Sequence, residues 1–339
     1  MTTWKVLKKL LMKSKHTRIF FAVGSTAIIY NTTRLNDVCQ YLDDNGLHFL
    51  IYMHPTMLYN QSQWIIEARQ KWSSHFFGLY VYDEPGGYQI DRTHWNNSTY
   101  MLVNQADNYT DAADKYNEGV TMMLREFRFG NFPLFTSDYA LYDFNYRGGY
   151  NVVLAEFAWN HSRPINVALC RGAATVRNKD WGDMITWTYD DAPYLESGPE
   201  MYNDMVLAYQ NGAKYILVFE RHPKNNTTQG IFQKEHFEAL KQFWQYVKNN
   251  PVTSQPISDR VAYVLPKDYG YGFRGPEDTI WGLWEADNLS STIWNNVNAL
   301  LEQYKTGLDI IYEDEVQLNV TTYTKLVFWN GTTINNTTT

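Results

Sequence analysis

The feature that most constrains this chain is a repeated alternation of strand-like and helix-like segments between residues 19 and 250. Short apolar, β-branched and aromatic runs alternate with amphipathic stretches of helical period, giving seven strand-then-helix units. Such repeats predict parallel pairing, hence an α/β fold. Their number and spacing favour a (βα)8 barrel of the TIM type over a doubly wound sheet, since the first turn, VGSTAIIYN, lacks G-x-G-x-x-G.

The predicted barrel strands are IFFAVG, HFLIYMHP, FFGLYVYDEP, PLFTSDYA, YNVVLAEFAWN, DMITWTY and KYILVFE. The first has an alternative, because residues 19–30 follow a basic stretch and have the length of a signal-peptide apolar region. No small-x-small cleavage site follows, and we therefore prefer the strand. No run approaches the roughly 18 apolar residues that a membrane span needs.

The domain prediction places the barrel at 1–250, a linker at 251–258, a small α/β region at 259–330 and an Asn/Thr-rich tail at 331–339. Two prolines in PVTSQP mark the linker. The segment RVAYVLP fits either an eighth barrel strand or a strand of the small region, and we prefer the small region.

The amino-acid composition restricts the classes of ligand and partner that this chain is expected to bind. Aromatic residues make up 16% of the 339 residues, which suits a cleft that stacks on flat apolar faces such as those of sugars. The net charge of −7 argues against a nucleic-acid partner. Cys39 and Cys170 lie in different predicted helices and predict buried thiols; neither a metal-ligand spacing nor a cofactor motif is present, so we expect no metal and no cofactor.

Glycosylation signals are enriched. Thirteen N-x-S/T matches occur, where chance would supply about three or four. They predict an extracellular or cell-surface protein carrying N-glycans, although an Asn/Thr-rich composition, visible in the tail, is an alternative explanation. The predicted acceptors are Asn31, Asn60, Asn97, Asn108, Asn226, Asn288, Asn319 and Asn330.

Several acids stand at or near predicted strand ends: Glu84, Glu156, Asp190, Asp191 and Glu220. Parallel barrel strands point their carboxyl ends to one face, so these side chains can converge. A convergent pair of carboxyl groups is what glycosidic bond cleavage requires, one protonated and one ionised. These acids also have structural explanations that involve no catalysis.

The structural explanation for Glu156 is an internal ion pair with Arg163 or Arg171. For Glu220 it is a solvated loop position, and for Asp190 and Asp191 it is a turn.

The segment D-E-P at 83–85 resembles the N-E-P/D-E-P acid/base motif of retaining glycoside hydrolases in the large (βα)8-barrel clan. The resemblance implies that Glu84 is the acid/base. YILVFE resembles the nucleophile strand of that clan, which implies Glu220 as nucleophile. The motif lies here on the third strand rather than the fourth and Asp83 replaces Asn, so Glu156 remains a competing nucleophile.

Side chains near these acids predict a carbohydrate subsite. The candidates for substrate binding are Tyr82, Asp83, Trp159, Asn160, Trp187, Tyr189, Asp190, Tyr271 and Arg274. Aromatic members of this set also fit a core role, and Arg274 also fits an internal ion pair with Glu277 and Asp278.

Two functional hypotheses follow. The first is an extracellular glycoside hydrolase that acts on a carbohydrate substrate through Glu84 with Glu156 or Glu220. The second is a non-catalytic, N-glycosylated surface protein with a barrel fold, which binds carbohydrate or associates with copies of itself.

Overall fold

The computed structural model describes residues 20–54, 59–91, 102–220, 230–251, 260–316 and 322–336. Seven parallel strands form one sheet, in which neighbours in sequence are neighbours in space. They are β1 (Phe20–Val23), β2 (His48–Met53), β3 (Phe76–Val81), β4 (Leu134–Asp138), β5 (Val152–Phe157), β6 (Asp180–Ile185) and β7 (Tyr215–Val218). The apolar run 20–23, for which a signal segment was the alternative, pairs with β2 as an edge strand.

Helices connect the strands. They are α1 (Thr26–Ile29), α2 (Thr32–Asp44), α3 (Gln61–Trp72), α4 (Pro85–Ile90), α5 (Tyr109–Leu124), α6 (Tyr142–Gly148), α7 (Arg163–Val176), α8 (Gly198–Gln210), α9 (Lys234–Asn249) and α10 (Ser290–Tyr304). Cys39 on α2 and Cys170 on α7 are free and buried, as predicted. In the described ranges, no helix combines the length and the apolar character that a membrane crossing requires.

Aromatic packing inside the sheet shows that it curls. The ring of Tyr215 on β7 lies 6.3 Å from Phe20 on β1, 6.0 Å from Phe77 on β3 and 5.0 Å from Phe135 on β4, measured between centroids. First and last strands can share such contacts only if the sheet bends around a common interior. The predicted α/β fold of TIM type is therefore confirmed.

The segment RVAYVLP does not extend this sheet. Its strand β8 (Val261–Leu265) lies in a second sheet between β9 (Leu308–Tyr312) and β10 (Lys325–Phe328), parallel to both. A short β11 (Thr333–Asn335), within the predicted tail, pairs antiparallel with β10. Seven barrel strands are thus present in the described part of the chain, and residues 252–258 of the predicted linker lie outside it.

Helix α6 is among the helices that the sequence analysis did not predict. Helix α6 has the sequence YDFNYRG, and all of its residues except Arg147 are buried. A helix that is enclosed on nearly every side carries no 3.6-residue alternation of apolar and polar positions. Asn145 donates to Asp138 and accepts from Tyr116, and Asp143 accepts from Arg147 and Arg177. These polar side chains bind internal partners instead of solvent, so the periodicity of the helix is hidden.

A buried ion pair ties the barrel to the second sheet. Arg171 on α7 is 1% exposed, and its Nε donates to Asp309 on β9 at 2.7 Å. The same guanidinium donates to Asn211 at 2.7 Å and to the carbonyls of Thr306 and Leu308. All three nitrogen atoms of the buried guanidinium thereby have hydrogen-bond partners, as a buried charge requires.

Removal of this cation should destabilise the protein. Arg171→Met leaves Asp309 buried with a weaker set of partners, and we expect a loss of about 3 kcal/mol or more in the free energy of unfolding. Urea denaturation followed by circular dichroism measures it. Lys214→Met is the matched control, because its ion pair with Asp180 is exposed and should contribute about 1 kcal/mol or less. Equal losses for the two variants would contradict the proposed role of Arg171.

Candidate active site

The turn after β3 positions the first predicted catalytic residue. Tyr82 and Glu84 both adopt the left-handed backbone region, with φ of 54° and 48°. That conformation is strained for residues with a Cβ atom and persists only where the surroundings impose it. The backbone amide of Glu84 donates to the carbonyl of Ser137 on β4 at 3.1 Å, which fixes Glu84 at the carboxyl ends of the strands.

Gly86 and Gly87 are required by close packing rather than by an unusual backbone conformation. Both lie in α4, whose first residue is Pro85, and neither has a positive φ. A Cβ atom on Gly86 would lie 2.5 Å from the carbonyl oxygen of Ala140, and one on Gly87 would lie 2.2 Å from the ring of Tyr139. The glycines are needed because β4 and its loop approach α4 closely.

Asp138, the last residue of β4, holds this turn in place. Its fully buried carboxylate accepts from the amides of Gly86 at 2.6 Å and Gly87 at 2.8 Å, and from the side chain of Asn145 at 2.7 Å. Burial raises the pKa of Asp138 to about 7, against the lowering effect of these hydrogen bonds. The carboxylate thus satisfies amides of the first turn of α4, which otherwise lack partners.

Glu84 and Glu156 lie close enough at the centre of the site for each to perturb the pKa of the other. Both bind Ser137, Glu84 through its backbone amide and Glu156 through its carboxylate. Glu156 lies near the end of β5 and is 2% exposed, whereas Glu84 is partly exposed. Ser137 donates its hydroxyl to Glu156 and stands between the strands that carry the two acids. Strands β3 and β5 both flank β4, so the curl of the sheet brings the two carboxyl groups together.

The electrostatics of the pair favour one shared proton. Burial, and then the charges of Glu156 and Asp83, raise the pKa of Glu84 well above its ordinary value. Burial and then Asp83 raise the pKa of Glu156 to about 8. Each acid thus perturbs the pKa of the other, in addition to the effect of burial. With both pKa values raised, the pair retains a proton at neutral pH.

A hydroxyl network surrounds this pair. Tyr80 donates to Asp83, and its oxygen lies 2.6 Å from the Ser137 hydroxyl. The Ser137 hydroxyl also lies 3.3 Å from Asp83. Burial and the neighbouring acids keep the pKa of Tyr80 well above its usual range, so it remains a neutral donor. Asp83 is thereby held by hydroxyl groups beside the Glu84–Glu156 pair.

The internal ion pairs considered for Glu156 are not formed. Arg171 binds Asp309, and Arg163 pairs with Asp204 at 3.1 Å and Glu196 at 3.5 Å. Glu156 instead has acidic and hydroxyl neighbours in the described structure. A buried carboxyl group without a neighbouring cation is expected at a site that needs a proton above pH 5.

Glu220 lies apart from the pair. It follows β7, and its carboxylate accepts from the amide of Phe232 at 3.5 Å. Burial raises its pKa, while the amides of Phe232 and Ile231 lower it. A Cβ atom on Gly230 would lie 1.2 Å from its Oε1, so the backbone at Gly230 packs directly against the side chain. Among described residues, no carboxyl group contributes to the pKa of Glu220, whereas Glu84 and Glu156 perturb each other.

Two of the predicted substrate-binding aromatics are exposed at strand ends. Trp159, after β5, is 39% exposed, and Tyr189, after β6, is 46% exposed. The amide of Trp159 donates to the carbonyl of Trp187 at 3.1 Å, which joins the two strand ends. Asn160 and Asp190 are exposed beside them, while Tyr82 and Trp187 are half-buried. The exposed rings offer flat apolar surface at the mouth of the barrel.

Tyr271 and Arg274, two of the predicted substrate-binding residues, lie in the loop after β8 and have other contacts in the structure. Tyr271 is 2% exposed and donates its hydroxyl to the carbonyl of Gly275, so its ring belongs to the core and is not an exposed platform. Arg274 lies at an open cleft, but its guanidinium is bound to Asp278 and Asp91. Arg274 therefore forms the alternative ion pair with Asp278, but its second acidic partner is Asp91 and not Glu277.

Five predicted glycosylation asparagines fall in the described structure, and all five are exposed: Asn31, Asn60, Asn108, Asn288 and Asn330. Asn31, Asn60 and Asn108 cap the N-termini of α2, α3 and α5 through their side-chain oxygens. Helix capping is thus a second physical reason for these asparagines. Asn97, Asn226 and Asn319 lie outside the described residues, and glycosylation itself stays a prediction.

Ser137, Asp138 and Tyr139 were not recognised from sequence. The run TSDY at the end of the weakest predicted strand was the available signal, because polar residues at a barrel strand end mark the catalytic face. No group of three or more His, Cys, Asp or Glu side chains in the described ranges is arranged to hold a metal ion.

The fold is similar to that of solved glycosidases. The β-galactosidase from the psychrophilic Marinomonas ef1 matches with a TM-score of 0.54 and 10% identity, over 95% of this chain and 70% of that chain. The catalytic module of a family 98 glycoside hydrolase from Streptococcus pneumoniae TIGR4 matches with a TM-score of 0.41 and 11% identity, over 84% and 56%. At such identity, the similarity concerns the fold alone. No protein-family model and no curated protein matches the sequence.

The raised pKa of Glu156 predicts a stability effect. A carboxyl group whose pKa is higher in the folded protein contributes stability that is fully present below its ordinary pKa of 4.5 and is lost as the pH rises through about 8. Glu156→Gln cannot ionise, so the variant should match wild type at pH about 5 and exceed it by about 1–3 kcal/mol at pH about 9. Urea denaturation at both values measures the difference.

Glu302→Gln on α10 is the matched control for this titration, because Glu302 is exposed on a helix surface. Its stability difference from wild type should stay constant with pH. A constant difference for Glu156→Gln as well would show that Glu156 is not a group with a raised pKa.

Proposed function

We propose that this protein is a glycoside hydrolase in which Glu84 is the general acid/base and Glu156 the nucleophile. The observation that carries the proposal is the neighbouring pair of carboxyl groups at the carboxyl ends of β3 and β5, both held by Ser137 and both with a raised pKa. Glycosidic cleavage needs one protonated and one ionised carboxyl group on the two sides of the bond.

Each residue has a defined chemical step. Glu84 gives its proton to the glycosidic oxygen as the bond to the anomeric carbon breaks, so that the leaving group departs as a neutral alcohol. Glu156, held by the Ser137 hydroxyl, attacks the anomeric carbon in its ionised form, whose fraction increases as the pH approaches the pKa of about 8. Glu84, now ionised, then takes a proton from a water molecule, and that water displaces Glu156 and restores both groups.

The closeness of the pair favours retention of configuration. Retaining enzymes separate their carboxyl groups by about 5–5.5 Å and inverting enzymes by about 6.5–9.5 Å, the larger gap holding a water molecule. Glu84 and Glu156 share Ser137 as a partner and perturb each other's pKa, which fits the smaller of the two spacings. Glu156 is buried and Glu84 is partly exposed, so the entering sugar would displace the Glu84 side chain and leave Glu156 in place.

Two further observations support a carbohydrate substrate. The exposed rings of Trp159 and Tyr189 lie at the strand ends next to Glu156, and aromatic faces stack on the C–H surfaces of sugars. The β-galactosidase of similar fold acts on a sugar, and this analogy at the level of the fold supports glycosidic cleavage as the proposed chemistry. In this proposal the exposed sequon asparagines carry N-glycans, and the enzyme acts outside the cell or at its surface.

Mutation of the proposed acid tests the function. On a panel of aryl glycosides, Glu84→Gln should lower kcat by about 100- to 10,000-fold, because the leaving group loses its proton donor. Wild type should release a product of retained configuration, observed by proton NMR. Glu220→Gln is the matched control and should retain activity within about tenfold, since Glu220 lies apart from the pair.

Equal rates for wild type and Glu84→Gln would reject Glu84 as the acid. Loss of activity in Glu220→Gln equal to that in Glu84→Gln would reject Glu156 as the nucleophile. Wild type that hydrolyses no member of the panel would favour the non-catalytic carbohydrate-binding function.

A further inference from the structure

A second surface feature lies beside the catalytic pair. A cleft of about 450 Å³ opens between the end of α4 and the loop 274–279 of the C-terminal region. Its charged lining consists of Asp91, Arg274, Glu277 and Asp278. Polar side chains in a concave site of this size are the ordinary means by which a protein orients a small polar ligand.

The cleft connects to the catalytic pair through α4 and Tyr139. Helix α4 begins directly after Glu84 and ends at Ile90, so Asp91 lies about 10 Å further along its axis. The hydroxyl of Tyr139 donates to Asp91 at 2.5 Å, and its ring lies against Gly87. Burial and then the charge of Glu84 raise the pKa of Tyr139, which places this ring between Glu84 and the cleft.

The charges in the cleft do not balance. Arg274 donates through Nε and one terminal nitrogen to Asp278 and through the other to Asp91. Among the described lining residues, three carboxylates therefore accompany one guanidinium, which is bound to two of them. The nearby His161 adds no cation at neutral pH, because burial, followed by the charges of Arg274 and Arg163, lowers its pKa.

Glu277 leaves the cleft with a negative charge that Arg274 does not neutralise. It is exposed at the rim, and the described residues provide no ion pair for it. A ligand carboxylate or sulfate entering here would meet acidic groups and would have to displace Asp91 or Asp278 from Arg274. A neutral hydroxyl or an ammonium group would meet acceptors without that cost.

We propose that this cleft is an outer sugar subsite that accepts neutral and amino sugar units and excludes uronic acid and sulfated units. The inference rests on the proposed function for the neighbouring catalytic pair, and it adds the substrate class that the pair acts on. The C-terminal region then has a role in recognition, because its loop 274–279 supplies most of the charged groups.

Binding measurements test this subsite without requiring turnover. Glu84→Gln protein and wild type are applied to a glycan array in which the same backbones occur in neutral, amino and uronic acid forms. Neutral and amino forms should bind, and the uronic forms of the same backbones should bind at least about tenfold more weakly.

Charge reversal at the rim gives the decisive comparison. In the same Glu84→Gln protein, Glu277→Lys changes the charge of the cleft by two units and should shift the ratio of uronic to amino binding by about tenfold toward the uronic form. Glu302→Lys on α10 is the matched control, an equal reversal on an exposed helix surface outside the cleft lining, and should shift the ratio by less than about twofold.

Equal binding of uronic and neutral forms, the same shift for both lysine variants, or no binding to any glycan would overturn the subsite. These outcomes are distinct from failure of the catalytic proposal. If wild type hydrolyses no glycoside but shows the predicted ratios, the subsite stands and the hydrolase assignment fails. If wild type hydrolyses glycosides but binds charged and neutral forms equally, the hydrolase assignment stands and the subsite fails.

Discussion

The close approach of Glu84 and Glu156 is the constraint on which the rest of this site depends. Two neighbouring carboxylates repel each other when both are ionised, so the pair tends to retain a proton at neutral pH. Burial makes ionisation of both groups more costly, and the nearby Asp83 adds to this cost. Ser137 and Tyr80 contribute hydroxyl groups rather than cations, and so they orient the acids without removing the proton. The chemistry that we propose follows from this one shared proton.

The strained turn at Glu84 is maintained by its surroundings. Asp138 binds the amides of the first turn of α4 from below, and the two glycines allow β4 and its loop to lie against that helix. The C-terminal region reinforces the arrangement from the other side: the side chain of Gln89 on α4 donates to the carbonyl of Trp281 at 2.9 Å, and Arg274 binds Asp91. The second sheet, held to α7 through Arg171, thus also supports the wall of the candidate site.

The alternation of strands and helices was predictable, because apolar runs bounded by turns and amphipathic stretches report the layers of an α/β fold directly. The proximity of Glu84 and Glu156 followed in outline from the rule that strand ends meet at one face. What could not be predicted depends on three-dimensional enclosure. Helix α6 has no polar face to reveal it, and the role of Asp138 appears only once α4 lies above β4. A short motif resemblance pointed equally to Glu220, whose neighbours only the structure reveals.

The most direct test of the central claim is a titration of the two carboxyl groups by NMR, using protein labelled with ¹³C at the side-chain carboxyl of glutamate. Glu84→Gln and Glu156→Gln variants assign the two signals. The account predicts that wild type at pH 7 retains one proton on the pair, that Glu84 is the more protonated member, and that each single variant lowers the pKa of the remaining acid, because its acidic neighbour is gone. Two signals that titrate independently near the ordinary glutamate pKa of 4.5 would contradict it.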